Sequence, residues 1–436
     1  MHINEYFRKL YRLERTGIKY DLDNIRKFLH KLGDPHNKLK FIHIAGTNGK
    51  GGTASILASL LIEHGLKTGL YTSPHILKYN ERIQINGKFI SDNYIKKFIN
   101  DNLSYIKKAR ISFFEVTTAM AFKYFADKKI DVGVIEVGLG GRLDSTNVID
   151  PVLSIITQIG IDHTQYLGKT LKSIAKEKIG IVKKSRNVII SDINKNLHSL
   201  FQKSIKESKI YFLDEHIQTK IIKCGLNEVK FSLKFTDRNL HFPKTDFKLP
   251  LTGEHQVRNA GTAVLASRML LSSINRKLNI NKAQLALRDV KKNTFYHGRF
   301  ENIDKKDDRF IFDVSHNPDA IKLAISITSQ FPIRSVVFGL MKDKDYKNAL
   351  KYLSEITSPL IFTQPSYFRS RNPETLYRFY RKNYFKTGKE IFMKKKPEDA
   401  LKIALGMENK GYILVIGSFF LVSDVIKILK MGKFLK

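Results

Sequence analysis

The stretch KLKFIHIAGTNGKGGTASILASLLIEH, residues 38–64, decides the architecture. Residues 38–45 read as a buried strand, 46–52 as a glycine-rich loop, and 53–64 as a helix closed by Gly65. A strand that turns into a helix through such a loop brings backbone N–H groups together at the positive helix end, which suits a phosphate. Lys50 adds a full charge. The glycines let backbone approach an anion and adopt angles that other residues resist. The loop is not a standard G-x-x-x-x-G-K-[ST], because Ile44 holds the first glycine position and Gly51 follows the lysine. Standing alone, it has an ordinary strand-to-helix connection as its lesser alternative reading.

From residue 38 onward apolar runs alternate with helical stretches, a βαβ rhythm that predicts a parallel sheet with helices on both faces. Further strands are expected at 131–137 and 152–159. Between about 209 and 250 the pattern becomes period-two, as in EVKFSLKF (228–235), and predicts a small accessory antiparallel sheet. A helix is expected over 257–271, and the polar segment 291–298 reads as a linker. The alternation then restarts, with strands expected at 309–314, 335–340, 360–364 and 412–416, as a second, Rossmann-like α/β sheet. The expected domains are 1–293, a linker at 294–298, and a smaller domain at 299–436.

The 436 residues carry 76 Lys and Arg against 41 Asp and Glu, a net charge of +35. Such a balance invites a nucleic-acid reading, but the lysines are spread along the whole chain rather than gathered on one arm. No nucleic-acid partner is therefore expected. A basic nucleic-acid-binding P-loop NTPase is the reading in a different class. No run approaches the ~18 apolar residues of a membrane span, and the opening MHINEYFRKLYRLER has charges where a signal peptide has its apolar core. A cytoplasmic monomer without a membrane partner is the expectation. Cys224 is the only cysteine, which excludes an intramolecular disulfide and a cysteine-cluster zinc site.

Ligands of open α/β sheets sit beyond the carboxyl ends of the strands. Three such ends carry candidates: Ser73 in LYTSPH (70–75), Glu136 in VIEVG (134–138) and His163 in IDH (161–163). A hydroxyl, a carboxylate and nucleotide phosphates suit one magnesium ion, whereas a histidine is an unusual magnesium ligand. Each alone reads as ordinary: a turn serine, a surface acid, a core histidine. Lys178 in IAKEK (174–178) reads as a solvated helical lysine.

The loop G-T-N-G-K resembles that of the Mur ligase superfamily. Together with YTSPHI (71–76), ERI (81–83), FFEVTTAMAF (113–122), IEVGLGGRLDSTNV (135–148) and IDHTQYLG (161–168), it resembles the bifunctional dihydrofolate synthase/folylpolyglutamate synthases. HGRFEN (297–302), FDVSHNPDA (312–320) and VIGSFFL (415–421) continue the resemblance in order, over almost the whole chain. The fold it implies is a P-loop Mur-ligase-type ATPase domain of α/β class with an accessory sheet, followed by the Rossmann-like domain.

The resemblance implies that Thr47, Asn48, Gly49, Lys50 and Gly51 hold the phosphates of ATP, with Asn259, Arg299 and Asp313 also on the nucleotide. It implies two magnesium ions held by Ser73, Glu136 and His163, and a carbamylated Lys178, so that Lys50, Glu136, His163 and Lys178 form the catalytic group. The pterin should meet Tyr20, Asp21, Leu22, Phe113, Phe114, Glu115, Val116, Leu143, Asp144 and Ser145, and His316 and Asn317 lie on the glutamate side. The activity implied is ATP-dependent joining of L-glutamate to dihydropteroate and to tetrahydrofolate through an acyl phosphate. The alternative is a folylpolyglutamate synthase alone. Two departures stand out: Gly52 replaces the usual Ser or Thr after G-K-G, and Tyr20-Asp21-Leu22 replaces a glycine-containing stretch.

Overall fold

The computed structural model describes residues 21–236, 242–305, 307–385, 388–408 and 410–430, so Tyr20 lies outside the described residues. Strands β1 (Phe41–Ala45), β2 (Thr68–Tyr71), β3 (Ile83–Ile85), β4 (Lys88–Phe89), β5 (Val132–Glu136), β6 (Leu153–Ile156), β7 (Asn187–Ile190) and β8 (Ile210–Phe212) form one sheet. Its order is β4-β3-β2-β5-β1-β6-β7-β8. The six strands from β2 to β8 run parallel, and β3 and β4 add an antiparallel edge. All five residues of β1 are buried, as a central parallel strand covered on both faces requires.

One face of this sheet carries the helices Lys50–Glu63 and Glu254–Ser273, with Leu57, Leu60 and Val264 meeting Ile44, Val134 and Ile155 in one core. The second sheet, β9 (Ile217–Cys224), β10 (Val229–Phe235) and β11 (Thr245–Leu249), shares that core through Phe231 and Phe247. Helices Asp23–Lys31, Asp92–Lys108 and Phe113–Asp127 cover the opposite face, packing around Phe28, Phe98 and Phe122. The third sheet holds β12 (Glu301–Lys305), β13 (Asp308–Asp313), β14 (Ile333–Phe338), β15 (Leu360–Phe362), β16 (Ile391–Met393) and β17 (Tyr412–Ile416), in the order β12-β13-β17-β14-β15-β16. Separate apolar clusters fill its two faces, one around Phe312 and Leu421 and one around Phe338 and Tyr380.

Two expectations are corrected. Residues 210–212, placed with the accessory sheet, pair with β7 as the outermost strand of the large sheet. Residues 291–294 are not loose linker but the end of a short helix, Val290–Thr294. Phe295 and Phe300 then take left-handed backbone angles, φ 50° and 48°, turning the chain into the third sheet.

That turn is pinned by the buried Glu301. Its carboxylate accepts from Lys291 Nζ (2.9 Å), from the ring of His297 (2.8 Å) and from the N–H of Gly298 (2.8 Å). Burial pushes the carboxyl up, but His297, Lys291 and Gly298 N–H outweigh it and hold it at about 2. Among the described residues no helix is long and apolar enough to cross a membrane.

A folded-state value depressed below that of the unfolded chain stabilises the fold above the unfolded value and is lost as pH falls towards about 2. Glu301→Gln is therefore expected to lower the melting temperature at pH 7 and to lose that difference progressively below about pH 4. Melting curves across pH check it; a constant difference down to pH 2 would contradict the assignment.

Candidate active site

The phosphate loop is fixed from the side by the residues that follow β6. Gln158 O accepts from Thr47 N (2.7 Å) and Asn48 N (3.3 Å), and the Thr157 hydroxyl donates to Asn48 O (2.8 Å). Thr47 Oγ1 donates to Gly160 O and accepts from Gly160 N, both at 3.0 Å. Gly46 sits so close that a Cβ there would fall 1.8 Å from Thr157 Oγ1, and Gly49 starts the following helix at φ 87°. Lys50 Nζ lies across the loop, donating to Gly46 O (3.0 Å) and Thr47 O (3.2 Å). Burial pushes its ammonium down from the ordinary value, against the pull of Glu136 and Asp162.

Glu136 ends β5, one strand over, and burial raises its carboxyl against the opposing effects of Lys50 and of Ser73 N–H. It accepts from Ser73 N at 3.0 Å, and among the described residues no lysine, arginine or histidine pairs with it. A buried carboxylate with no direct ion pair, bonded to the backbone N–H of a serine, is a hard-oxygen site that fits magnesium. His163 lines the same cavity, but its Nε2 lies 3.0 Å from Lys344 Nζ. Burial first, then Lys344, holds its imidazole down at about 4, so the ring is neutral, the form in which an imidazole ligates a metal.

The expectation of a solvated Lys178 is overturned: it is 3% exposed, and its Nζ donates to Gly46 O at 2.9 Å. Burial, then the nearby Lys50, pulls its amine down to about 7. An amine near that value spends much of its time unprotonated at neutral pH and can react as a nucleophile.

The third sheet faces these groups. Arg299 lies over Phe419 (4.8 Å from ring centroid) and Tyr296 (6.0 Å). Asp313 ends β13 and is tied to Phe300 N and Ser315 N, both at 2.8 Å; burial raises its carboxyl. Asn317 caps the helix Pro318–Thr328 through Ala320 N (2.9 Å) and donates across to Asn48 Oδ1 (3.0 Å). His316 pairs its Nδ1 with Val314 O (2.9 Å); burial and then Lys344 hold it at about 3, leaving a neutral ring. Asn259 completes the loop's surroundings, with Oδ1 3.4 Å from Thr53 Oγ1. Arg299, Asp313, His316 and Asn259 line a cavity of about 680 Å³ together with the phosphate loop, Ser73, Glu136, His163 and Lys178.

The pterin candidates fall elsewhere. None of Asp21, Leu22, 113–116 or 143–145 lines that cavity. Leu22 and Val116 are buried in the core, Glu115 closes a capping box with Ser112, and Asp144 binds the N–H groups of Leu139 and Thr146. Phe113 is also buried, edge-on to Tyr79. Phe114, Leu143 and Ser145 keep partial exposure and Asp21 is exposed.

Residue-by-residue reading misses Lys344, Asp162, Tyr296 and Gln256. Lys344, 8% exposed, reaches from the loop after β14 to Asp162 Oδ1 at 2.7 Å, although MKDKDY (341–346) looks like solvated surface. Asp162 in turn is held far below the ordinary carboxylate range: burial pushes it up, and Lys344, His163 and His316 outweigh that. Tyr296 and Gln256 border Gly52, and only the absence of a side chain at Gly52 hints at them.

Residues 44–267 match the Mur ligase middle domain and 298–419 match the Mur ligase, glutamate ligase domain. The dihydrofolate synthase/folylpolyglutamate synthase of Bacillus subtilis (strain 168) is 32% identical over 435 residues, covering 95% of this chain and 96% of its own. The crystal structure of folylpolyglutamate synthase from Thermotoga maritima is 31% identical, with a TM-score of 0.81 over 99% of this chain and 98% of that one. Folylpolyglutamate synthase of Mycobacterium tuberculosis, complexed with ADP, superposes with a TM-score of 0.86 at 27% identity, over 98% of this chain and 99% of its own.

Gly46→Ala should push the loop off Thr157, lowering the melting temperature and abolishing ADP binding in calorimetry. Parent-like binding would show that the loop is not seated against Thr157.

Proposed function

We propose, from the premise that this chain belongs to the Mur ligase superfamily and within it to the dihydrofolate synthase/folylpolyglutamate synthases, that it joins L-glutamate to dihydropteroate and to tetrahydrofolate at the expense of ATP. The observation that carries the proposal is the convergence, around one cavity, of the phosphate loop, a buried acid next to a serine, and polar groups from the third sheet.

An amine does not displace oxide from a carboxylate at useful rates. A carboxylate oxygen of the pterin substrate therefore attacks the γ-phosphorus, the bond to ADP breaks, and an acyl phosphate forms. The free amine of glutamate then attacks the acyl carbon, phosphate leaves with the bonding pair, and the amide results. Lys50 Nζ, released from its loop carbonyls, neutralises charge spread over the transferred phosphoryl. Thr47 to Gly51 hold the phosphates, with the N–H groups of Gly49, Lys50 and Gly51 as donors while those of Thr47 and Asn48 stay on Gln158 O, and Asn259, Arg299 and Asp313 hold the rest of the nucleotide. On the glutamate side, His316 offers a neutral Nε2 and Asn317 ties the third sheet to the loop. Contact between the sheets excludes water, which would hydrolyse the mixed anhydride.

Ser73, Glu136 and His163 would hold two magnesium ions, which supply charge neutralisation across the phosphates. Lys178 fits the carbamate role because its amine is buried and pulled down to about 7, so carbon dioxide can add to the nitrogen with loss of one proton. The pterin lies against Phe114, Leu143 and Ser145. Residues 1–293 form the ATP-binding domain, 294–298 the linker and 299–436 the second domain. The protein works as a cytoplasmic monomer on small molecules.

Purified protein should release phosphate only with pterin and glutamate both present, and dihydropteroate and tetrahydrofolate should each serve as acceptor. Activity confined to a nucleotide-sugar acceptor would move the chain to a sister family. Lys50→Ala and Glu136→Ala should each lower turnover at least ~100-fold with unchanged melting curves; near-normal rates would remove these residues from the mechanism. Lys178→Arg, whose guanidinium stays charged, should be as inactive as Lys178→Ala. Retained activity in the arginine variant would exclude the carbamate.

A further inference from the structure

The phosphate loop lacks a hydroxyl at Gly52, and the space that a side chain there would fill is already taken. A Cβ at position 52 would stand 2.9 Å from Asn259 Nδ2, 3.1 Å from Gln256 Oε1 and 3.1 Å from the phenol oxygen of Tyr296. The Tyr296 ring lies over the first turn of the loop helix, its Cε2 3.6 Å from the equivalent point at Gly51, where both Glu136 oxygens are 3.5 Å away. Glycine at 52 is thus matched to a tyrosine brought in from just before the third sheet.

Thr53 Oγ1 donates to Asn259 Oδ1, and Asn259 Nδ2 donates to Gln256 Oε1 at 3.0 Å, so the two amides beside the phenol bond each other. Arg299 lies over the same ring, 6.0 Å from its centroid. Burial raises the Tyr296 phenol above its ordinary value, so the hydroxyl keeps its proton at neutral pH. That proton is a donor. That donor lies at the positive end of the helix Lys50–Glu63, on the wall of the cavity that holds the phosphate loop.

We propose that the Tyr296 hydroxyl replaces the hydroxyl missing at position 52 and donates a hydrogen bond to a phosphate that ADP and ATP share. Glycine at 52 and tyrosine at 296 are then one exchanged pair, and the polyphosphate is held partly by the segment that joins the two large sheets. The inference rests only on the nucleotide-binding part of the proposed function.

The test is calorimetric titration of the full-length protein with ADP and magnesium, with melting curves as a check on folding. A hydrogen bond to a charged phosphate contributes enough that Tyr296→Phe should weaken ADP about tenfold without a change in melting. Gly52→Ser should weaken it too, because the hydroxymethyl group collides with the phenol. In the double variant Gly52→Ser/Tyr296→Phe the serine supplies the donor where the phenol oxygen stood, so affinity should return to within about threefold of the parent. A purely structural role for Tyr296 gives additive losses. Parent-like binding by Tyr296→Phe, or a double variant as weak as the sum of the singles, overturns the proposal. ADP binding is read without folate or glutamate, so failure of the ligase reading appears separately, as absent phosphate release.

Discussion

Everything at this site depends on how closely Gly46 approaches Thr157. The contact brings the loop backbone against the segment after β6, and five hydrogen bonds between 46–49 and 157–160 then fix its path. A side chain at 46 has no room there, because a Cβ would fall 1.8 Å from a hydroxyl oxygen. With the loop in place, the helix Lys50–Glu63 starts where its first N–H groups face the cavity, and Lys50 and Lys178 both find the Gly46 carbonyl. The buried acids and amines on neighbouring strand ends take their spacing from the same parallel sheet.

Burial is the main perturbation on most of these groups, and it acts in opposite directions on opposite charges. It pulls the amines of Lys50 and Lys178 down and pushes the carboxyls of Glu136 and Asp313 up. Asp162 escapes, because Lys344 crosses from the other sheet to pair with it. Polar ties cross the cavity, Lys344 to Asp162 and Asn317 to Asn48, while Ile76 from beyond β2 packs into the apolar core of the third sheet. The polar contacts fix orientation and can exchange for water or ligand.

Much of this was legible in the residues. The strand-loop-helix at 38–64, the βαβ rhythm and the restart after 298 each have a period that local chemistry sets, and the structure has them with shifts of a few residues at the ends. Residues 210–212 were misplaced because a three-residue apolar strand looks alike in either sheet, and only pairing with β7 decides. Lys178 read as solvated because helical spacing does not reveal that the Gly46 carbonyl waits above it. Lys344 sits among alternating charges typical of surface, and its burial comes from contact between parts of the chain 182 residues apart. Among the pterin candidates, Glu115 Oε2 and the Asp144 carboxylate cap backbone N–H groups, a use that local sequence permits but does not announce.

The resting position of Lys50 has a kinetic meaning. Its ammonium stands half-buried on the cavity wall and is satisfied by two carbonyls of its own loop. An incoming polyphosphate therefore meets a cation already held at the loop, and the four-carbon stem only has to swing from one set of oxygens to another. Recognition becomes an exchange of partners in a preformed berth, and the loop is held in its receptive shape between turnovers by the charge it will lend to the reaction.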